Sequence, residues 1–407
     1  MKRYLAMITI LSVLLTIFAY GCTEKGDDKL KEPYSGKGHR IYVREPYSPD
    51  KITATFTSTT TNNTETVTME LIKKGEDYST YSCAGDTDKF DRVRFISDDT
   101  DKSIVLVFNE YVSGYYLTGG TSQGSVGIPF VYDENNENDV KENVPFETVA
   151  LKYNKGIEKN IFIWTPEDYD KNDKSTKYPV IYLCDGQNMF EKASTTYGSW
   201  NVAQSAESMK ANSGNNCIIV GIDDGDGNRD SELTPNLGPL AEVENLSHEE
   251  FENGTGKIFS DFVVNTVMPY MKKNYNILTD RQSTSVCGSS SGGIEAFYIG
   301  MEHPDKFGTI GALSPAFLLY DENVWVDYLK KINFNGNEPF VYIYNGNGDE
   351  LESQLYTSAK DMLTYLDKVN YPKDKVAFRE YKEACHNEHY WRNVFPEFLR
   401  FAFPNDK

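Results

Sequence analysis

The 407-residue chain is short of histidine, has no disulfide framework and carries no surplus of basic charge. With only five histidines, any reaction that needs an imidazole base must draw on a very small set. The six cysteines are widely spaced with no CxxC pair, which speaks against a zinc site and against a stapled scaffold. The 41 basic residues face 61 acidic ones, for a formal charge of −20. A surface so acidic is a poor match for a phosphate backbone, so no nucleic-acid partner is expected. Long apolar runs are confined to the first twenty or so residues, and no internal repeat is visible. What is present is ordinary for a globular chain: 39% hydrophobic and 25% charged residues, at a length that suits two or three domains. The 28 tyrosines favour β-rich structure and surfaces able to stack on flat ligands.

Lys2 and Arg3 precede an uncharged apolar run from Tyr4 to Phe18, which ends in Ala19-Tyr20-Gly21-Cys22. A short basic region, an apolar region and small residues at the end form a signal peptide, expected over residues 1–21. A cysteine directly after Ala-x-Gly is similar to the bacterial lipobox, so Cys22 is the expected lipidation site and new N-terminus. Tyr20 is larger than the residue usual at that place. Residues 22–38 are polar and read as a tether, which would hang the remaining chain on the outer side of a membrane. The five other cysteines, Cys83, Cys184, Cys217, Cys287 and Cys385, are expected as free and mostly buried thiols.

Residues 39–132 hold no helical spacing of useful length. Short β-branched and aromatic runs appear instead at Ile52–Thr57, Thr66–Ile72, Arg92–Ile96 and Ile104–Phe108, separated by turn clusters. Such spacing predicts a small all-β sandwich. Tyr111, Tyr115 and Tyr116 could form a sugar-stacking platform or simply pack its core, so the module is a candidate for carbohydrate binding. Residues 133–146, which open with Asp-Glu-Asn-Asn-Glu-Asn-Asp, are expected as an acidic linker.

From residue 147 to 407 strands alternate with amphipathic helices, the pattern of an α/β domain. Strands are expected at Val180–Cys184, Cys217–Ile222, Ser283–Cys287, Val341–Tyr344 and Val376–Tyr381. Helices are expected at Lys257–Tyr275, Ile294–Met301, Leu355–Val369 and Trp391–Phe403, with Pro269 kinking or stopping the first.

After the strand Ser283–Cys287 comes Gly288-Ser289-Ser290-Ser291-Gly292-Gly293 and then a helix. Only Ser290 has glycine at both −2 and +2. Those glycines admit a turn sharp enough to lift the Ser290 hydroxyl above the sheet edge. Serine needs a base, and His386 and His389, just beyond the strand Val376–Tyr381, are the candidates; His386 is nearer the strand end and is preferred. An orienting acid is expected in the loop after Val341–Tyr344, where Asp349 comes first and Glu350 and Glu352 compete. An oxyanion hole would use the backbone N–H of Ser291 and that of Gln187, the latter in the turn opened by Gly186.

Four segments carry a family resemblance. Tyr178-Pro-Val-Ile-Tyr-Leu-Cys-Asp-Gly-Gln-Asn188, Val220-Gly-Ile-Asp-Asp-Gly225 with Arg229, Gly288–Gly293, and His386-Asn387-Glu388 with Trp391 occur in that order. Together they resemble the esterase family of the α/β-hydrolase superfamily that includes esterase D, feruloyl esterases and enterochelin esterases. The resemblance covers about residues 147–405; Ser291 replaces a methionine of the family pattern, at a position that contributes its backbone N–H. It implies Ser290 as nucleophile, His386 as base and Asp349 as orienting acid, with no metal or organic cofactor. The expected substrate is an ester, glycan-linked, such as feruloyl or acetyl groups on plant polysaccharide. A siderophore ester of the enterochelin type is the alternative, and a catalytically inactive glycan-binding surface lipoprotein is the rival from another class. Asp223, Asp224, Asp226 and Asp230 near the site disfavour a strongly anionic substrate.

Overall fold

The computed structural model describes residues 38–404, except 47–48, 98–101, 122–123, 133–143, 191–197, 225–226, 244–248 and 250. The signal segment 1–21, Cys22, the tether up to residue 37 and most of the acidic linker therefore lie outside the described residues.

The first part is built of strands alone: β1 (His39–Glu45), β2 (Ile52–Thr57), β3 (Thr64–Thr68), β4 (Glu70–Lys74), β5 (Ser79–Gly85), β6 (Arg92–Ser97), β7 (Leu106–Val107), β8 (Gly114–Thr121) and β9 (Gly124–Phe130). They form one sheet in the order β4-β5-β1-β8-β9 and another in the order β3-β2-β6-β7. Strand β2 shows why: Ile52, Ala54 and Phe56 alternate inward while the intervening threonines stay half-exposed. The run Thr66–Ile72, expected as one strand, is split. The chain turns at buried Met69 and leaves one sheet for the other, so β3 and β4 belong to different layers.

The second part carries β10 (Glu147–Lys152), β11 (Glu158–Trp164), β12 (Val180–Leu183), β13 (Ile218–Ile222), β14 (Thr284–Ser289), β15 (Thr309–Leu313), β16 (Phe340–Gly346) and β17 (Val376–Tyr381). The sheet order is β10-β11-β13-β12-β14-β15-β16-β17, antiparallel across β10, β11 and β13 and parallel beyond. Helices cover both faces, so β14 is buried along its whole length, as a central parallel strand must be. This is the α/β-hydrolase fold preceded by a β-sandwich.

The helices are α1 (Val202–Ser213), α2 (Gly256–Phe262), α3 (Met268–Asn274), α4 (Ser291–Glu302), α5 (Glu322–Leu329), α6 (Glu350–Lys368) and α7 (Glu388–Ala402). A π-helical stretch, Val263–Val267, joins α2 to α3. Pro269 therefore does not stop the helical run: it lies in the first turn of α3, directly after the π-helical stretch, where its missing N–H is tolerated. Helix α6 begins five residues earlier than the apolar spacing suggests, with Asp349 as its N-cap. Among the described residues, no helix is long and apolar enough to cross a membrane.

The two parts share one core. A single cluster of buried apolar side chains runs from Ile41, Phe56 and Tyr111 in the sandwich to Met209 in α1 and Phe395 in α7. Polar groups cross the same boundary: Tyr111 Oη donates to the Phe403 carbonyl at 2.6 Å, and the Val107 N–H donates to Asn393 Oδ1 at 2.9 Å. Arg92 reaches Glu397 of α7 at 3.3 Å and lies 3.7 Å from the Tyr381 ring centroid. Tyr111 and Tyr115 are fully buried and pack the core, the second of the two roles open to them, while Tyr116 is half-buried. Cys83, Cys184, Cys217 and Cys287 are buried free thiols, and Cys385 is a half-buried one.

Candidate active site

Strand β14 ends at Ser289 and α4 begins at Ser291, leaving Ser290 alone in the turn with φ 57° and ψ −124°. A serine held at positive φ is strained, and such strain persists only where the surroundings fix it. Here the Ser290 N–H is tied to the Leu313 carbonyl at 3.0 Å, and both flanking glycines are required by contact. A Cβ on Gly288 would collide with the Gly292 carbonyl, and one on Gly292 would sit 2.6 Å from Asp185 Oδ2.

His386 faces the nucleophile. Its Nε2 lies 3.0 Å from Ser290 Oγ, and its Nδ1 lies 2.8 Å from Glu352 Oε2. The ring packs edge-on against Trp391, with centroids 4.9 Å apart. Glu352 is wholly buried; its other oxygen accepts from Ser314 Oγ at 2.5 Å and from the Gly346 N–H at 2.7 Å. Trp391 Nε1 in turn donates to Ser314 Oγ at 2.9 Å. Both oxygens of Glu352 are thus engaged, one on the ring and the other on Ser314 and Gly346.

The expectation for Asp349 is corrected. Its carboxylate does not touch the ring: Oδ1 accepts the Glu352 N–H at 2.8 Å, capping α6, and Oδ2 accepts the His386 backbone N–H at 2.7 Å. With one oxygen capping α6 and the other on the His386 backbone N–H, Asp349 is directed away from the imidazole, and the first turn of α6 carries Glu352 to it instead. The signal was present as Asp349-Glu350-Leu351-Glu352, the spacing of a cap followed by an acid at the third helical position. His389 is no competitor for the base: it lies within α7 against Gly198 and 3.1 Å from Arg392 Nη2. Burial, aided by Arg392, pushes its pKa down to about 4. His303 pairs with Ser260 Oγ at 3.1 Å, and His39 is the first residue of β1.

Ser291 heads α4, where first-turn N–H groups have no acceptor within the helix. Gln187 lies in the 3-10 turn Gly186–Asn188 after β12, entered through Asp185 at φ 58°. Because β12 pairs directly with β14, these two turns are neighbours at the same sheet edge. Gly186 is required by a close backbone approach, since a Cβ there would lie 2.5 Å from the Gly221 carbonyl carbon. Sequence reasoning left Arg229 without a role. Its Nε and Nη2 grip the two oxygens of buried Asp185 at 2.5 and 2.8 Å. Burial acts to raise the Asp185 pKa, but the guanidinium overrides it and holds the group below its ordinary value. Asp224 beside it, accepting from Gln187 Nε2 at 2.7 Å, is pushed upward by burial and by the Asp185 charge. Among the described residues no group of three or more His, Cys, Asp or Glu is placed to hold a metal.

A serine on a strained turn, a histidine on its hydroxyl and a buried carboxylate on the histidine, set at the parallel edge of this sheet, define the class of α/β-hydrolase-fold carboxylic ester hydrolases. The model of the Esterase family, described as "Putative esterase", matches residues 156–402, and the chain belongs to that family. Among solved structures it is similar to the siderophore hydrolase EstA from Aspergillus nidulans, at 14% identity and TM-score 0.50 over 63% of this chain and 94% of that one. It is also similar to the enterobactin esterase from Shigella flexneri, at 15% identity and TM-score 0.49 over 89% and 92% of the two chains. A third likeness is to a ferulic acid esterase from Anaeromyces mucronatus, at 22% identity and TM-score 0.46 over 68% and 93%. The first of these likenesses speaks to the fold; none carries a substrate.

Proposed function

We propose that this ester hydrolase works by a Ser290–His386–Glu352 acyl-enzyme mechanism on feruloyl or acetyl esters of plant polysaccharide. The observation that carries the mechanism is the relay of 3.0 and 2.8 Å from Ser290 Oγ through the His386 ring to Glu352. Ser290 Oγ attacks the ester carbonyl carbon while His386 Nε2 takes its proton. The carbonyl oxygen becomes an oxyanion, held by the Ser291 and Gln187 N–H groups. The C–O bond to the alcohol then breaks, and His386 returns the proton to that leaving oxygen. A water molecule, deprotonated by His386, attacks the acyl-serine carbonyl; the acyl C–Oγ bond breaks, His386 returns the proton to Ser290 Oγ, and the carboxylic acid leaves. Glu352 keeps the ring in the tautomer that presents a bare Nε2 to the serine and stabilises the imidazolium.

The glycan-linked reading draws on the signal peptide expected over residues 1–21 and on the run of acidic residues Asp223, Asp224, Asp226 and Asp230, which disfavours a strongly anionic ester. In this reading Cys22 carries a lipid and the enzyme faces the outside of a membrane. The test is a panel of methyl ferulate, acetylated xylan and a catecholate trilactone, run with wild type and Ser290→Ala. Hydrolysis of the first or second, lost by several orders of magnitude in the variant, is expected. Activity on the trilactone alone would replace the glycan reading with the siderophore one.

A further inference from the structure

Arg229 opens a short helical turn, Arg229–Glu232, beyond β13, and it belongs to neither loop that carries an oxyanion donor. Its guanidinium nevertheless touches both. On one side it grips the Asp185 carboxylate at 2.5 and 2.8 Å, two residues before Gln187. Its Nε also lies 3.3 Å from Asp224 Oδ2, and the other oxygen of Asp224 accepts from Gln187 Nε2. On the other side Nη2 donates to the Ser289 carbonyl at 3.3 Å, the peptide directly before the nucleophile. Nη1 lies 3.1 Å from Asp230 Oδ1, which accepts the Ser291 hydroxyl at 2.7 Å. A second contact closes the circuit: Asp185 Oδ2 packs so tightly on the first turn of α4 that Gly292 can bear no side chain. One planar cation is therefore bonded around both turns whose N–H groups must converge on a single oxygen, and a rigid guanidinium fork fixes direction as well as distance.

We propose that Arg229 is a positioning residue for the ester-cleaving reaction, clamping the Ser291 and Gln187 N–H groups at the spacing the oxyanion needs. The inference rests on the acyl-enzyme reading above and deepens it. A loosened hole loses strength where charge develops, in the transition state, and leaves ground-state binding nearly untouched. Full-length wild type, Arg229→Met and Arg229→Lys are compared on p-nitrophenyl acetate, with Ser290→Ala as the blank. The affinity of a boronic acid that adds to Ser290 as a tetrahedral anion is measured alongside. Removing one oxyanion donor costs about 100- to 1,000-fold in kcat, and loss of the clamp should approach the lower end of that range in Arg229→Met. KM should move by less than about threefold, the boronate should weaken in parallel with kcat, and Arg229→Lys, which keeps the charge but not the fork, should recover only a small part. If Arg229→Met does not fold, Arg229→Lys decides. Folded variants that keep kcat, or lose only KM, would overturn the clamp while leaving the esterase intact. A folded wild type that cleaves no ester would instead overturn the acyl-enzyme reading, and the clamp with it.

Discussion

At the scale of single residues the decisive competition is between two acids three positions apart. Asp349 and Glu352 both lie after β16, and distance along the chain favours the first. Hydrogen bonding favours the second, because Asp349 is engaged by two backbone N–H groups while Glu352 alone reaches the ring. Glu352→Gln should lower kcat/KM on p-nitrophenyl acetate by roughly a thousandfold or more, since an amide stabilises the wrong imidazole tautomer. Asp349→Asn should cost about tenfold or less, because the single asparagine oxygen still caps α6 and the contact given up is to the His386 backbone N–H, not to the ring. A variant series in which Asp349→Asn is the more damaging would return the role to Asp349. Ser290 and His386 were legible in the sequence because glycine spacing and scarcity of histidine leave few choices. The acid was not, because acidic residues are abundant here and only the helix start tells which of them is committed to a cap.

At the scale of elements, helix α7 brings a titrating group to the edge of the site. Glu388 is its first residue, and its Oε1 accepts from Asn188 Nδ2 at 3.3 Å, which links the histidine loop to the turn bearing Gln187. A helix N-terminus favours an ionised acid, yet burial wins and pushes Glu388 up to about 7. Because that value lies above the ordinary 4.5, the folded chain holds more protons than the unfolded one between about pH 4.5 and 7. Stability from the neutral carboxyl is thus present below this window and lost as pH rises through it, by on the order of 3 kcal/mol. Melting temperatures of wild type and Glu388→Gln, taken from pH 4 to 8, should show wild type losing a few degrees relative to the variant across the window. A constant difference would contradict the assignment. Most strands and helices of the α/β part were legible from period alone. The sheet crossing at Met69 and the π-helical turn before Pro269 were not, because each keeps the local pattern of one uninterrupted element while tertiary packing divides it.

At the scale of the whole molecule, composition separates a strand-only part from an α/β part, but the core does not. Arg92 of the sandwich lies under Tyr381 and against Glu397, one turn of chain away from the loop that ends in His386. Arg94 pairs with Glu383 of that loop at 2.7 Å. Sequence could not show this, since a buried arginine and a buried glutamate 305 positions apart look like two ordinary surface charges. The unit that presents the site is therefore the sandwich and the hydrolase sheet together, and the activation of Ser290 is a property of the full chain. It is tested most directly by treating the folded full-length protein with a fluorophosphonate probe and mapping the modified residue by mass spectrometry. Only a serine activated by a neighbouring base reacts readily, so stoichiometric labelling is expected at Ser290 alone, abolished in His386→Ala and strongly slowed in Glu352→Gln. A well-folded chain left unlabelled, or labelled at a different serine, would contradict it.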